Sequence, residues 1–281
     1  MVQKSYSESK FGKMYLVPTP IGNIEDITFR AIAVLKEVDV IYAEDTRVTQ
    51  SLLKKFNIRK KVFSCHKYSE EKNKEAIFDE LSLGKSVAYV SDRGTPLISD
   101  PGEVVVKYLI NNNIDVISLP GPSALLPAIN ISGLDNSRFL FYGFLNSKKS
   151  ARVSELKTIA HLSFTIIFYE APHRLVATLN DIKTVLGNRN IAICREISKL
   201  FEEVFRGSIE EAIKYYNEPR GEIVIVVEGN KSTENINYVE KVKELVNKGY
   251  KVSNAIKEIA VIYGISKNDL YSECKEKLLW N

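Results

Sequence analysis

Short apolar runs alternating with amphipathic stretches constrain this 281-residue chain more than any other feature. "MYLVPTP" (14–20) reads as a strand that ends in two prolines. In "ITFRAIAVLKEV" (27–38), Ile27, Ala31, Val34, Leu35 and Val38 share one helical face. "DVIYAED" (39–45) and "KVFSCH" (61–66) read as strands, "VTQSLLKKFN" (48–57) and "EEKNKEAIFDELSLG" (70–84) as helices, the latter closed by Gly84. A strand over 86–90, a helix near 102–112 and the strand "DVISLPG" (115–121) complete a first set. Such alternation predicts an α/β layer around a mainly parallel sheet. A second set follows, with strands in "FLFYGFL" (139–145), "FTIIFYEA" (164–171), "NIAICREI" (190–197) and "GEIVIVVEG" (221–229). Between them lie the helices "RVSELKTIA" (152–160) and "HRLVATLNDIKTVL" (173–186) and the segment "FEEVFRGSIEEAIKYY" (201–216). The polar "NKSTENIN" (230–237) marks a boundary, beyond which the pattern is helical only. The expected division is a tail over 1–12, lobes over 13–121 and 122–232, and a small helical domain over 233–281.

Composition narrows the class without naming a function. Apolar residues make up 44% and charged residues 26%, the globular range. No apolar run approaches the roughly 18 residues of a membrane span, and the polar N-terminus lacks the apolar core of a secretory signal. Three widely spaced cysteines fit a reduced cytoplasm, and no Cys/His cluster has zinc spacing. A net charge of +4 only mildly favours a polyanionic partner.

The ends of the first-half strands share a character. "VPTPIGN", "YAEDTR", "SDRGTP" and "LPGPSA" are stiffened by proline or opened by glycine. In a parallel sheet these carboxyl ends share one edge, where ligands bind. Ser123 and Ala124 open a helix and turn backbone N–H groups outward, and Asp92 is placed to hold an ammonium or a ribose hydroxyl. "GxGxxG", "GxxxxGK[ST]" and "GxSxG" are absent, which disfavours a dinucleotide fold, a P-loop and a nucleophile-elbow hydrolase.

Together, "YLVPTPIGNIEDITFRAIAVLKEVDVIYAEDTR", "SDRGTPLISDPG", "LPGPSALLPAINISGL", "FYGFL", "FYEAPHR" and "GEIVIVVEG" resemble the small-subunit ribosomal RNA methyltransferase I family of the tetrapyrrole-methylase superfamily. The resemblance runs from about Met14 to Gly229. It implies two α/β lobes with a small C-terminal helical segment, a homodimer, and S-adenosylmethionine held between the lobes. It implies a cytidine ribose 2′-hydroxyl in the decoding region of 16S rRNA as acceptor. Carried over by motif, the cofactor contacts fall on Ile21, Asp92, Thr95, Ser123 and Ala124, with Tyr169 and Cys194 from the second lobe. One departure stands out: Arg93 occupies a place where the family has a small residue. Its side chain either points outward or enters the pocket and impairs cofactor binding.

A ribose hydroxyl needs help in losing its proton, and positioning supplies much of the rest. "AEDTR" offers Glu44, Asp45 and Arg47; "EAPHR" offers Glu170, His173 and Arg174. Arg47, Arg174 and Glu170 are the catalytic candidates, with a local Asp45–Arg47 or Glu170–Arg174 ion pair as the alternative. For RNA, the basic loop "NSKKSARVSELK" supplies Lys148, Lys149 and Arg152, and "KKFNIRKK" (54–61) is a second basic run; either also reads as plain solvated surface. "AIKEIAVIYGISKNDLY" has helix-turn-helix spacing, equally compatible with a small bundle. Two competing functions are methylation of a tetrapyrrole and non-catalytic RNA binding with a cofactor site spoiled by Arg93.

Overall fold

The computed structural model describes residues 3, 4, 10–231, 237–263 and 265–278; the expected tail and the polar boundary therefore fall largely outside the described residues. The first lobe alternates β1 (Met14–Leu16), α1 (Phe29–Glu37), β2 (Val40–Ala43), α2 (Thr46–Lys55) and β3 (Lys61–Ser64). It continues with α3 (Glu70–Ser82), β4 (Val87–Val90), α4 (Glu103–Asn111) and β5 (Val116–Ser118). Its sheet has the order β3-β2-β4-β1-β5 and every pairing is parallel. Covered on both faces, its central strands are apolar throughout, as parallel strands must be. Successive side chains feed opposite layers: Ile41, Ala43, Ala88 and Val90 pack with Leu35 and Leu53, whereas Val40, Tyr42, Val87 and Tyr89 pack with Ile77 and Leu109.

Local chemistry sets the helix starts on the ligand edge. Thr28 caps α1, accepting from the Ala31 N–H at 3.0 Å. Asp45 caps α2, accepting from the Arg47 N–H at 2.8 Å. Asp45 stands in "YAEDTR", one of the loops that the sequence marks as ligand-bearing.

The second lobe comprises α5 (Leu125–Ser132), β6 (Phe139–Phe144), α6 (Lys149–Ile159), β7 (Thr165–Glu170), α7 (Leu175–Leu186), β8 (Asn190–Arg195), β9 (Glu203–Ser208), α8 (Ile209–Tyr215) and β10 (Ile223–Val227). Its sheet, β6-β7-β10-β8-β9, is mixed, unlike the parallel sheet of the first lobe. Only β6 and β7 run parallel; β10 is antiparallel to β7 and β8, and β9 to β8. The apolar run "IVIVV" is buried throughout at the sheet's centre, so its composition carries no information on strand direction. The segment 201–216 splits into β9 and α8 at a capping box in which Ser208 and Glu211 bond each other's backbone.

Lobes one and two form one compact unit, Met1–Lys157 with Phe164–Gly229. A second unit, Thr158–Ser163 with Asn230–Asn281, holds α9 (Tyr238–Asn247), α10 (Val252–Tyr263) and α11 (Lys267–Leu278). Its core is built from Val239, Val242, Ala255, Ile256, Ile259, Leu270 and Cys274. No helix among the described residues is long and apolar enough to cross a membrane.

Candidate active site

The strand-end loops of the first lobe are bonded to one another. Thr19 and Gly94 exchange two backbone hydrogen bonds at 2.9 Å, and the Thr19 hydroxyl donates to the Ser91 carbonyl at 3.1 Å. The Thr95 hydroxyl donates to the Pro122 carbonyl at 2.9 Å. The Asp45 N–H donates to Asp92 Oδ1 at 2.9 Å. Gly121 lies against Pro18 so closely that a Cβ would come within 2.7 Å of its ring. The four loops are thus one stiff cradle, and proline supplies rigidity where glycine permits contact.

Between this cradle and the second lobe lies a cavity of about 370 Å³, within the usual small-ligand range of roughly 300–1,000 Å³. Ile21, Thr95, Ser123 and Ala124 line it from the first-lobe loops and the start of α5; Tyr169, Ile197 and Val224 face them from the second lobe's sheet. Burial raises the Tyr169 phenol, while bonds with the Ser123 side chain and the Leu125 backbone act in the opposite direction. Tyr169 therefore ties β7 to the start of α5. The loop after β4 carries Leu97 and Ser99 at φ of +70° and +66°, conformations unusual for residues with a side chain. Between them and Gly102 this loop presents Asp100 to the cavity. Burial, reinforced by the charges of Glu44 and Asp92, pushes the Asp100 carboxyl up to about 7. Glu44 is itself raised, by burial first and then by the charge of Asp92, and Asp92 is raised by burial and then by the charge of Asp45.

Residues 13–213 match the family of Tetrapyrrole (Corrin/Porphyrin) Methylases. Proteins named ribosomal RNA small subunit methyltransferase I are similar over nearly the whole length. That of Halalkalibacterium halodurans is 42% identical, covering 96% of this chain and 97% of its own. That of Bacillus subtilis is 43% identical, covering 94% of each. That of Escherichia coli O157:H7 is 38% identical, covering 99% of each. The chain belongs to the ribosomal RNA small subunit methyltransferase I family, within the tetrapyrrole methylases. Among solved structures, diphthine synthase superposes with a TM-score of 0.60 at 14% identity, covering 77% of this chain and 90% of its own. Uroporphyrin-III C-methyltransferase from Thermus thermophilus, complexed with S-adenyl homocysteine, superposes with a TM-score of 0.57 at 19% identity, covering 77% and 97%. At these identities the likeness is one of fold.

Within this ribosomal RNA methyltransferase family fold, the sequence-predicted residues part company. Ile21, Thr95, Ser123, Ala124 and Tyr169 meet at the one cavity. Asp92 does not line it; its carboxylate serves the start of α2 and faces a neighbouring hollow. Cys194 is fully buried behind the cavity wall, its thiol pushed up to about 12 by burial, and its side chain packs in the second-lobe core. Alternation along β8 puts it on the sheet face beneath α5, where its Sγ approaches the Ala128 carbonyl at 3.8 Å.

The catalytic candidates are engaged locally. Arg47 grips Asp45 with two donors, Nη2 reaching Oδ2 at 2.7 Å, and its side chain is 88% exposed. The Glu170 carboxylate is buried and accepts from Arg174 Nε, the Ala171 N–H at 2.7 Å and the Thr178 hydroxyl at 2.6 Å. Arg174 also donates to the Leu145 carbonyl at 2.9 Å. This pair clamps the end of β7 to β6 and α7, and Glu170, which lines the cavity, already holds three hydrogen bonds within the protein.

Arg152 requires a correction. It does not sit in a mobile basic loop; it lies on α6, is 4% exposed, and pairs with the buried Asp181 at 2.6 Å. Its remaining guanidinium donors reach the Asn146 and Ser147 carbonyls at 3.2 and 3.1 Å. Four of its five N–H groups are thereby engaged inside the protein, and its burial keeps the guanidinium from a phosphate. Lys148 and Lys149 are exposed at the start of the same helix. Arg93, weighed as pointing outward or entering the pocket, lines the cavity, and so do Asp100 and Glu222, which were not singled out as contacts. The signal for Asp100 was present in the density of turn residues in "SDRGTPLISDPG"; nothing local pointed to Glu222.

Proposed function

We propose that the chain transfers a methyl group from S-adenosylmethionine to the ribose 2′-hydroxyl of a cytidine in the decoding region of 16S rRNA. The observation that carries this reading is the cavity between the lobes, built from the loops that this family's motifs occupy, in a chain 42% identical to a named ribosomal RNA methyltransferase. The lining fits such a cofactor in chemistry as well as size. Ile21, Ala124, Ile197 and Val224 give apolar walls that exclude water, and Asp100 places a carboxylate where a cationic ligand stabilises it. Thr95 and Ser123 are tied to neighbouring groups and hold the shape of the wall. When bound, S-adenosylmethionine supplies a methyl group activated by its sulfonium.

The chain's own part is positioning and proton handling. The interlocked loops fix the cavity before any ligand arrives, which lowers the entropy lost on binding. A carboxyl that releases its proton near neutrality suits proton transfer, and Asp100 is the lining group with that property. Arg174 acts through Glu170 and the end of β7; Arg47, exposed at the start of α2, is available to a phosphate once it leaves Asp45. Lys148 and Lys149 offer further phosphate contacts. In this reading the protein is a homodimer. Exposed Phe29, Leu200 and Phe201, on segments joined by the Asp26–Ser198 hydrogen bond, supply apolar surface for the second copy.

Incubation with radiolabelled cofactor and either 30S particles, free 16S rRNA or a porphyrin tests the substrate class. Nucleoside mass spectrometry of the product tests the position. Label in 2′-O-methylcytidine is expected; label on the base overturns the ribose assignment, and label only in the porphyrin overturns the RNA assignment.

A further inference from the structure

Two hollows adjoin the cofactor cavity, and their charges differ. One, of about 430 Å³, is reached past Ile21 and Ser123; it contains Asp26 and Glu202 and no cation. The other, of about 490 Å³, shares Ile21 and Arg93 with the cavity and runs between α2 and the Thr19–Gly22 loop. Its walls include Ile24, Thr49, Ser51 and Leu52, with the carboxylates of Asp92 and Glu196 and with Lys55 on the last turn of α2.

Charge decides between the two. A nucleotide brings a phosphate, and burying that phosphate beside Asp26 and Glu202 sets like charges together in a partly desolvated hollow. The hollow beside α2 instead offers the exposed Lys55. Arg93 and Lys199 also line it, although both are already paired with carboxylates. Lys55 does not stand by itself. Lys54, Arg59 and Lys61 are also exposed, and Lys61 opens β3, the edge strand of the first-lobe sheet. Farther along, Phe63 is 46% and Tyr68 is 92% exposed. Cations interleaved with exposed aromatic rings are what an unpaired RNA strand uses, through phosphate neutralisation and base stacking. A helix's last turn favours lysine in any protein, so Lys54 and Lys55 decide nothing from the helix dipole. What distinguishes them is that this basic edge leads into a hollow that shares a wall with the cofactor cavity.

We propose that the hollow between α2 and the Thr19–Gly22 loop receives the acceptor nucleotide, with Lys55 on its phosphate and the strand continuing over Arg59 and Lys61. The inference rests on the reading of ribosomal RNA as substrate, and it places that substrate on one particular side of the cavity.

Three variants test it, with binding to 30S particles or a 16S rRNA fragment and binding of S-adenosylhomocysteine measured separately. Lys55→Glu is expected to weaken RNA binding at least tenfold and to flatten the dependence of log affinity on log salt by about one, the loss of one phosphate contact. Ser51→Trp, which fills the hollow from an exposed position, is expected to weaken RNA binding with the salt slope unchanged. Leu126→Trp, which fills the acidic hollow, is expected to leave RNA binding within twofold. All three keep S-adenosylhomocysteine affinity and the thermal midpoint; Lys55→Gln serves as the milder substitution should Lys55→Glu lower the midpoint. Unchanged RNA binding in Lys55→Glu and Ser51→Trp overturns the subsite while the substrate stands, and so does a loss confined to Leu126→Trp. A wild-type protein that binds and methylates no ribosomal RNA overturns the substrate reading itself.

Discussion

Arg93, on the loop after β4, and Glu222, at the entry to β10, form an ion pair across the mouth of the cavity between the lobes. Lys199 donates to the other oxygen of Glu222 at 3.0 Å and to Glu196 at 2.7 Å, so the bridge is part of a four-residue network. The guanidinium is thus tied to the second lobe through Glu222.

Both members of that bridge are more than half exposed, which limits their worth to about 0.2–1 kcal/mol of fold stability. Arg93→Ala and Glu222→Gln are accordingly expected to leave the melting temperature nearly unchanged. Their effect falls on cofactor exchange. Stopped-flow measurement should show dissociation faster in both variants, and dissociation that quickens with added salt in the wild type only. Identical rates and identical salt responses in all three proteins would remove the bridge from cofactor retention. Tighter cofactor binding in Arg93→Ala would instead make the side chain an obstruction.

Asp100 gives the fold a specific pH dependence. In the folded chain its proton is held up to about pH 7, whereas an unfolded chain releases an aspartate proton near 4. Between those values the folded state carries more protons, so stability from this group is greatest at low pH and is lost as pH rises through 7. Asp100→Asn removes the dependence. Urea denaturation at pH 4.5, 6.0 and 7.5 should show the variant gaining on the wild type as pH rises. A constant gap would mean that Asp100 does not titrate in this window. A cationic ligand bound beside the carboxylate stabilises its ionised form, so calorimetry at pH 7 should detect proton release through the buffer dependence of the binding enthalpy.

Removing Arg152 leaves the buried Asp181 carboxylate with the more distant Lys149 at 3.8 Å and frees two backbone carbonyls. Breaking such a pair costs about 3–5 kcal/mol. Arg152→Ala should show that loss in chemical denaturation. RNA affinity of the fraction that stays folded should keep its salt slope, because no phosphate contact is lost. A full-strength fold with a flattened salt slope would restore Arg152 to the RNA surface.

Cys65, Cys194 and Cys274 are all buried and outside any disulfide. Burial also raises the thiols of Cys65 and Cys194, Cys194 to about 12, so almost no thiolate exists at neutral pH. A thiol-specific chromogenic reagent should find no reactive thiol in the native protein and three after denaturation. Rapid reaction of one thiol in the native state would place a cysteine at an accessible wall of the cavity.

What was legible along the chain was what depends on near neighbours. Strand and helix alternation and the stiff loops after the first-lobe strands follow from local periodicity and backbone preference. A parallel sheet collects the carboxyl ends of its strands on one edge, so Ile21, Thr95, Ser123 and Ala124 were brought together by topology alone. Strand direction in the second sheet was hidden because "IVIVV" buries both faces either way. Arg152 and Lys149 read alike as basic residues three apart. Only packing against α7 sends one into a buried ion pair and leaves the other in water.

The amino-acid order by itself determined the alternating elements, the rigid turns and the ligand edge of the first lobe, because each is set by contacts within a few residues. Tertiary structure alone decided that Arg93 meets Glu222 from 129 positions away, that Asp100 is pressed toward neutrality, and that Cys194 lies behind the wall. Charge pairing and desolvation depend on distances in space, and the linear chain does not contain those until it has folded.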